Sequence, residues 1–168
     1  RGADFLIESW APGRMRELGL DHESLARENP ALIGVSITPF GQDGPKSGYA
    51  ATDLIAMAAG GPLYLTGDAD RAPLRVSAPQ AFHFAAAEAA MAALVAHLER
   101  ERSGRGQHVD VSAQQALGLA TLYRILDAPW GQAPAERSSG GLQLGKLFMR
   151  MRFPTRDGWV VLGPGFLP

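Results

Sequence analysis

The sequence predicts an α/β protein that contains part of a parallel sheet, and three observations support this prediction. Asp4–Glu8 and Leu32–Thr38 are short apolar runs bounded by polar residues, which is typical of strands in a parallel sheet. Two short helical segments lie between them, and this strand–helix–strand order favours a parallel arrangement. A long alanine-rich helix that follows Pro79 leads into a polar–apolar alternation, Gln107–Ser112, which predicts a further strand.

The composition fits one packed domain and argues against several classes of protein. The chain has 168 residues, of which 46% are hydrophobic, and a formal net charge of −1. A balanced charge without a basic cluster is not typical of nucleic-acid or membrane-surface binding. The chain has no cysteine, which excludes disulfides and thiol chemistry, and it shows no long apolar run or signal peptide. We therefore expect a cytoplasmic protein with no metal site and no nucleic-acid or membrane partner.

The segment between the first two strands is predicted to hold two short helices. Arg14–Leu18 follows a turn at Pro12-Gly13 as the first of them. Asp21 is placed to cap the second, His22–Glu28. Pro30 disfavours helical backbone at the preceding residue and so ends this segment.

The middle of the chain is predicted to be loop-rich. Residues 39–48 hold three glycines and two prolines, which indicates an irregular surface loop. A helix begins at Thr52-Asp53 and ends at Gly60-Gly61-Pro62, and Leu63–Thr66 is predicted to be a short strand. Arg75–Ala78 then leads into the long helix.

The long helix is predicted to face the core with its large apolar side chains. These recur at steps of three and four residues, which is the spacing of one helix face; they are Phe84, Met91, Leu94 or Val95, and Leu98. Solvated charges close the helix at Glu99–Arg102, and Gly104 is predicted to stop it.

The remainder of the chain is predicted to form a helix, a linker and a hairpin. Ala113–Leu126 is a helix whose apolar side carries Leu117, Ala120, Leu122 and Ile125. Residues 129–141, rich in Pro, Gly and Ser, are a linker. Leu147–Phe153, a turn at residues 156–158 and Trp159–Leu162 form a hairpin that opens a second domain.

Four segments of the chain, taken in order, resemble the signatures of one family. They are ESWAPGRMRELGL (8–20), NPALIGVSITPFGQDGP (29–45), TDLIAMAAGG (52–61) and ERERSGRGQHVDVS (99–112). At this order and spacing they resemble the family III CoA-transferases, which include formyl-CoA transferase, carnitine CoA-transferase and the α-methylacyl-CoA racemase. The likeness covers most of residues 3–125.

The resemblance implies a Rossmann-like sheet domain, a smaller second domain and interlocked dimers. Family members are longer than this chain and begin with strand–helix units, so we expect a fragment that lacks the N-terminal strands. The expected boundaries are 1–128 for the incomplete large domain, 129–141 for the linker and 142–168 for the beginning of the small domain.

In the resembling enzymes an aspartate at the start of the long helix attacks the acyl-CoA thioester and forms a mixed anhydride, then carries CoA as an enzyme thioester. Counted back from Gly104, this aspartate aligns with Phe82, which has no nucleophilic atom. The general-base pair of the racemase branch aligns with Thr52 and Phe82. His83 and Glu88 lie nearby, but single residues of this kind on a helix are usually structural.

The resemblance also implies a CoA site just after the first strand. Ser9 and Trp10 match an asparagine–aromatic pair beside CoA, and Leu18 matches an apolar neighbour of CoA. Glu17 and Ala50 stand where some members have cations.

Two arginines and one acidic residue complete this set of candidates. Arg14 and Arg16 are the arginines that could compensate for the missing cations at CoA phosphates. Asp53 matches an acidic position near the acyl site, and is equally well explained as a helix N-terminal residue.

Three functions are compatible with these residues. The chain is a CoA-transferase, or a fragment of one, that moves CoA between an acyl-CoA and a carboxylic acid. Alternatively it is the non-catalytic subunit of a heteromer in which a catalytic paralogue supplies the aspartate, or a CoA-binding or scaffolding protein without catalysis. The departures at Phe82, Glu17 and Ala50 favour the second over a self-sufficient enzyme. The expected assembly is a homodimer or a heteromer with a catalytic paralogue, and a racemase-like enzyme is a further alternative.

Overall fold

The fold is mixed α/β, as predicted, with a three-stranded parallel sheet and one long helix. The computed structural model describes residues 2–126, 129–131, 135–144 and 147–163. In chain order the elements are β1 (Phe5–Glu8), α1 (Arg14–Glu17), α2 (His22–Glu28), β2 (Ile33–Thr38), α3 (Asp53–Ala59), α4 (Pro62–Leu65), α5 (Ala81–Ser103), β3 (His108–Ser112), α6 (Ala113–Ala120), α7 (Leu122–Ile125), β4 (Gly141–Leu144), β5 (Leu147–Arg150), β6 (Arg152–Pro154) and β7 (Trp159–Val161).

The parallel sheet has the order β1-β2-β3. Leu6 pairs with Gly34 across β1 and β2, and Ser36 pairs with Asp110 across β2 and β3. Because side chains alternate along a strand, the two faces of this sheet differ. Ile33 and Val35 lie in the core that includes α5, whereas the alternate positions of β2 and β3 are polar or glycine.

The face of α5 that meets the core is the opposite of the predicted one. The buried residues of α5 are all alanines: Ala81, Ala85, Ala89 and Ala96. The predicted core residues Phe84, Met91, Leu94, Val95 and Leu98 are exposed, Leu98 to 66%. Alanines also recur at helical spacing, and their small side chains allow the helix backbone to lie close to Val35 and Val111 of the sheet.

By length and mean hydropathy (1.4) α5 is apolar enough to cross a membrane, a property that core helices of globular domains share. Here it packs against β2 and β3 through its alanine face.

Local sequence signals correctly predicted the start of α2 and the end of α5. Asp21 accepts a hydrogen bond from the Ser24 backbone N–H at 3.1 Å and so caps α2. Gly104 ends α5 in the left-handed conformation (φ 70°), as predicted.

Two predictions in the middle of the chain were wrong. Leu63–Thr66 is not a strand, because Pro62 occupies the first turn of α4, where a missing N–H is tolerated. The helix predicted over Ala113–Leu126 is interrupted at Thr121, whose hydroxyl donates to the Leu117 carbonyl (3.2 Å) and competes with regular helix geometry. On its predicted apolar side Leu117 is buried, Ala120 and Leu122 are exposed, and the Ile125 side chain lies outside the description.

The predicted C-terminal hairpin is present in part. β6 pairs with β7 in antiparallel register, with Phe153 opposite Val160. β5 instead pairs with β4, and Gly141 is required there because a Cβ would overlap the Phe148 ring. Parts of the predicted linker and small domain (132–134, 145–146 and 164–168) lie outside the described residues.

Candidate functional site

The start of α5 is held by a carboxylate from another helix. Its N-cap residue, Gln80, has helical backbone angles (φ −90°, ψ −41°) and gives no side-chain cap in the described structure. The Ala81 backbone N–H instead donates to Oδ1 of Asp53 at 2.8 Å. An orphan donor of the first turn is thereby satisfied by a residue 28 positions away in the sequence.

Asp53 is the first residue of α3 and is only 7% exposed. Its carboxylate therefore lies at the N-terminal ends of both α3 and α5, and helix dipoles favour a negative charge at such ends. Its second oxygen, Oδ2, is buried and makes no hydrogen bond within the described residues. The guanidinium of Arg75 lies 3.7 Å from this oxygen, measured from Nε. Asp53 thus lies in the first turn of its own helix, as expected for a helix N-terminal residue. It also holds the start of a second helix.

Phe82 follows Ala81 directly and is 43% exposed. It is not part of the buried core, so a side chain at this position lies at the surface beside the Asp53–Ala81 hydrogen bond. Glu88 lies elsewhere, in a small cleft of about 80 Å³ that it shares with Asp110 and Ser112 of β3. His83 is exposed, and Thr52 is the N-cap residue of α3. The structure therefore does not bring Glu88 to the position of Phe82.

The residues predicted to contact CoA follow β1 and surround α1. Ser9 and Trp10 are exposed, and the Trp10 backbone N–H donates to Oε2 of Glu8 at 2.7 Å. Leu18 ends α1 and is also exposed. The predicted set thus presents an aromatic and an aliphatic side chain on one surface segment.

Arg14 is engaged by a carboxylate of its own helix. Its Nη1 atom lies 2.8 Å from Oε2 of Glu17, the residue that stands where some resembling proteins have a cation. Both side chains are exposed, so this pair is weak and open to competition from an anion. Ala50 is exposed and offers no charge.

The polar face of the sheet forms a cleft that sequence reasoning missed. Its volume is about 350 Å³, and it is lined by residues of β1, α1, α2, β2 and β3. The rings of His22 and His108 stack at 5.5 Å between centroids, and Ser36 Oγ lies 2.9 Å from Nε2 of His108. The signal was present in the polar alternation of His108, Asp110 and Ser112 along β3, which predicted a strand but not a cleft.

The charges of this cleft do not fit the phosphates of CoA. Four carboxylates line it (Glu8, Asp21, Glu23 and Asp43) against one cation, Arg16. Burial, followed by the neighbouring His108, lowers the pKa of His22, so its neutral form is favoured. A cleft with this balance disfavours anions, and the phosphate-binding role of Arg16 stays a prediction.

Two of the sequence motifs meet at the strand ends. Asp110 of the last motif accepts a hydrogen bond from the Gln42 backbone N–H at 2.8 Å, and the Gln114 N–H donates to the Pro39 carbonyl at 3.0 Å. These bonds fix the glycine-rich loop that follows β2. Gly106 lies so close to the chain before β2 that a Cβ would overlap the Leu32 carbonyl, and its N–H donates to the Pro30 carbonyl at 2.9 Å. The Gly104–Gly106 turn therefore ends a helix and permits close packing.

Comparison with known proteins identifies the family to which the chain is similar. The model of CoA-transferase family III matches residues 1–165. Succinyl-CoA:(R)-benzylsuccinate CoA-transferase subunit BbsE of Thauera aromatica is 41% identical over 162 residues, which are 96% of this chain and 38% of that protein. Succinyl-CoA–D-citramalate CoA-transferase of Chloroflexus aurantiacus is 35% identical over 161 residues, 95% of this chain and 40% of that protein.

A solved structure gives the same result for the fold. The crystal structure of a CAIB/BAIF family protein from Brucella suis matches with a TM-score of 0.82 and 30% identity, over 94% of this chain and 41% of that chain. The present chain thus spans 38% and 40% of the length of the two relatives above. The match of the family model over nearly all of its residues shows that the chain belongs to CoA-transferase family III.

Proposed function

We propose that the whole protein moves CoA between an acyl-CoA and a carboxylic acid, and that this chain is the non-catalytic subunit of a heteromer. The observation that carries the proposal is Phe82, which occupies the second position of α5, where the resembling enzymes have their nucleophilic aspartate. A phenylalanine ring packs or lines a pocket but forms no acyl anhydride. The carboxylate that attacks the thioester comes from a partner chain.

The surroundings of residue 82 at the start of α5 are suited to a carboxylate. The N-terminal end of a long helix favours an anion, and Asp53 fixes the backbone next to residue 82 through the Ala81 N–H. A partner carboxylate that reaches this end of α5 meets a favourable electrostatic environment. Asp53 itself serves as an accessory group, since its own carboxylate is buried and committed to Ala81.

CoA binds beside α1 in this proposal. Trp10 and Leu18 are exposed apolar side chains that follow β1, and they are suited to cover the adenine or the pantetheine arm. Ser9 adds a hydroxyl, and Arg14 exchanges its exposed pair with Glu17 for a phosphate of CoA. No metal enters this chemistry, because the carboxylate is the nucleophile and the thiolate is the leaving group.

The exposed face of α5 supports assembly with further chain. Large apolar side chains line it, Met91, Leu94, Val95 and Leu98 among them, and such a patch marks a contact surface. In this proposal the remainder of a Rossmann-like domain and a partner subunit, in a dimer or heteromer, pack against this face. Residues 1–128 belong to the larger domain, 129–141 to the linker and 142–168 to the smaller domain of a cytoplasmic protein. The similarity to BbsE, which is named as a subunit, supports the heteromer.

The experiment that tests the proposal measures CoA transfer by the whole protein, alone and together with a paralogous chain encoded beside it. Each preparation receives a panel of acyl-CoAs and free acids, and hydroxylamine traps any acyl-enzyme. Transfer only in the presence of the paralogue, with the trapped adduct on the paralogue, is the expected result. Transfer and adduct formation by the lone chain contradict the non-catalytic assignment, and inactivity of both preparations favours a CoA-binding protein without catalysis.

A further inference from the structure

We propose that Arg137 anchors the end of the linker to the turn that follows α4, so that the chain enters β4 from a fixed point. The anchored segment is residues 137–141, and the turn that receives it is residues 66–74. Composition predicted a linker over 129–141, and its last residues are thereby held in one place. This inference goes beyond the proposed function, and it does not depend on the transfer of CoA.

The guanidinium of Arg137 binds three backbone carbonyls at the end of α4 and in the turn. Nε donates to the Asp68 carbonyl at 3.0 Å, and Nη1 donates to that of Tyr64 at 2.9 Å. Nη2 donates to the Arg71 carbonyl at 3.2 Å. The Cζ atom also lies 4.9 Å from the centroid of the Tyr64 ring. Every nitrogen of the guanidinium is therefore engaged by a segment at least 66 positions away in the sequence.

An arginine is suited to this set of contacts, and a lysine is not. The guanidinium is planar and holds five N–H donors in a rigid fork, whereas the lysine ammonium is a compact point charge with three donors. Hydrogen bonds from a charged donor are stronger than those from a neutral one, and a cation over an aromatic ring adds a further attraction. The three carbonyls and the ring thus favour a guanidinium at residue 137.

Two further contacts join the same parts of the chain. The Ala69 backbone N–H donates to Oγ of Ser139 at 3.3 Å, and Nη2 of Arg152 in β6 lies 3.8 Å from Oδ1 of Asp68. Ser139 has a φ of 49°, in the left-handed region that residues with a side chain rarely adopt. Such a backbone conformation persists where surrounding contacts hold it. The contacts to Ala69 and from Arg137 supply that constraint.

The anchor fixes the point at which β4 begins. Oγ of Ser138 donates to the Gly141 carbonyl at 2.6 Å, and the Gly141 N–H donates to the Ser138 carbonyl at 2.8 Å. Gly141 is the first residue of β4. On the other side, the Leu74 N–H donates to the Thr66 carbonyl at 2.9 Å and closes the turn. Arg137 therefore joins the start of the β4–β5 sheet to the turn between α4 and α5.

The test measures hydrogen–deuterium exchange by mass spectrometry on the whole protein, with any partner subunit bound. We expect Arg137→Gln to accelerate amide exchange about tenfold or more in residues 66–74 and in residues 138–142, and to leave β2 unchanged. Arg137→Lys should accelerate it in both segments as well, because it keeps the charge and loses the fork. The matched control Arg71→Gln removes an arginine of the same turn that is 74% exposed, keeps the backbone carbonyl, and should leave both segments unchanged.

Each other outcome overturns the inference. Unchanged exchange in Arg137→Gln, or acceleration in one segment alone, shows that Arg137 does not join the two. Equal acceleration in Arg71→Gln assigns the effect to surface charge, and full protection in Arg137→Lys shows that the fork is not needed. If Arg137→Gln loses protection in β2 as well, Tyr64→Leu decides, because it removes the ring below the guanidinium and keeps the carbonyl. A smaller acceleration in both segments is then expected, and none contradicts the anchor.

Discussion

The backbone N–H of Ala81 donates a 2.8 Å hydrogen bond to the buried carboxylate of Asp53, and so the start of α5 is fixed by the start of α3. No side chain in the first turn of α5 is acidic, and its N-cap residue provides no cap of its own. One residue from a different motif therefore performs a function that neighbouring residues normally perform.

Replacing Asp53 should loosen the first turn of α5. We expect Asp53→Ala to lower the free energy of unfolding by about 1 to 2 kcal/mol, because the Ala81 donor then loses its acceptor. Asp53→Asn keeps an acceptor oxygen and should lose less. Urea denaturation measures the stability, and hydrogen exchange of residues 81–85 locates the effect. Equal loss in both variants, or unchanged exchange at the start of α5, would show that the bond does not hold this helix.

Introducing the family carboxylate at residue 82 should give this chain an acyl-enzyme. Phe82→Asp places an anion at the N-terminal end of α5, where the helix dipole favours it, and removes a half-exposed ring from outside the core. We expect hydroxylamine to trap an acyl adduct on this variant in the presence of acyl-CoA, with a stability change within about 1 kcal/mol. Mass spectrometry of the modified peptide identifies the residue.

Phe84→Asp is the matched control for that experiment. Phe84 is equally aromatic and similarly exposed, and it lies two residues further along the same helix. It should give no adduct. An adduct in Phe84→Asp, or none in a folded Phe82→Asp that binds CoA, would place the nucleophile position elsewhere.

Local features of the fold were predictable because their causes lie within a few residues. The Asp21 cap of α2 and the Gly104 stop of α5 each depend on a short-range hydrogen bond or a backbone angle, and both were predicted correctly. The buried face of α5 was predicted wrongly. Hydrophobicity ranks Leu98 and Met91 above alanine as core residues, whereas close packing on the sheet requires the small side chains of Ala85 and Ala89.

The candidate site was predictable in its residues and not in its contacts. The resemblance located Asp53 and Phe82, but the bond from Asp53 to Ala81 joins residues 28 positions apart and depends on tertiary structure. In the same way, His22 and His108 come from different motifs, and only the parallel register of β2 and β3 brings the latter beside Gly34 and under His22.

Adding a methyl group at residue 106 should destabilise the folded protein more than adding one at residue 104. At Gly106 a Cβ would overlap the backbone carbonyl of Leu32, which has no flexible end that could move away. Gly104 has open space around its Cβ position and carries only the cost of a left-handed conformation (φ 70°), about 1 kcal/mol. Gly106→Ala should therefore lower the midpoint of urea unfolding further than Gly104→Ala. Equal effects of the two substitutions would contradict the close approach of this turn to β2.

The stacked histidines should make the protein sensitive to acid. Burial and the neighbouring His108 lower the pKa of His22 in the folded state. Above about pH 6.5 His22 is neutral in both the folded and the unfolded state. Below this pH the unfolded chain takes up a proton that folded His22 does not. The free energy of unfolding therefore decreases as the pH is lowered, until the pH reaches the lowered pKa of the folded state. Asp21 acts in the same direction, but only at lower pH, because Ser24 lowers the pKa of a carboxyl group whose ordinary value is 3.8.

Replacing His22 by glutamine should weaken this dependence on pH. We expect the difference in unfolding free energy between pH 7.5 and pH 5 to be smaller in His22→Gln than in the wild type, since glutamine does not titrate. His83→Gln removes an exposed histidine at the start of α5 and should leave the difference unchanged. Urea denaturation at the two pH values measures both variants. An unaltered difference in His22→Gln, or an equal reduction in His83→Gln, would show that the stacked pair does not govern acid stability.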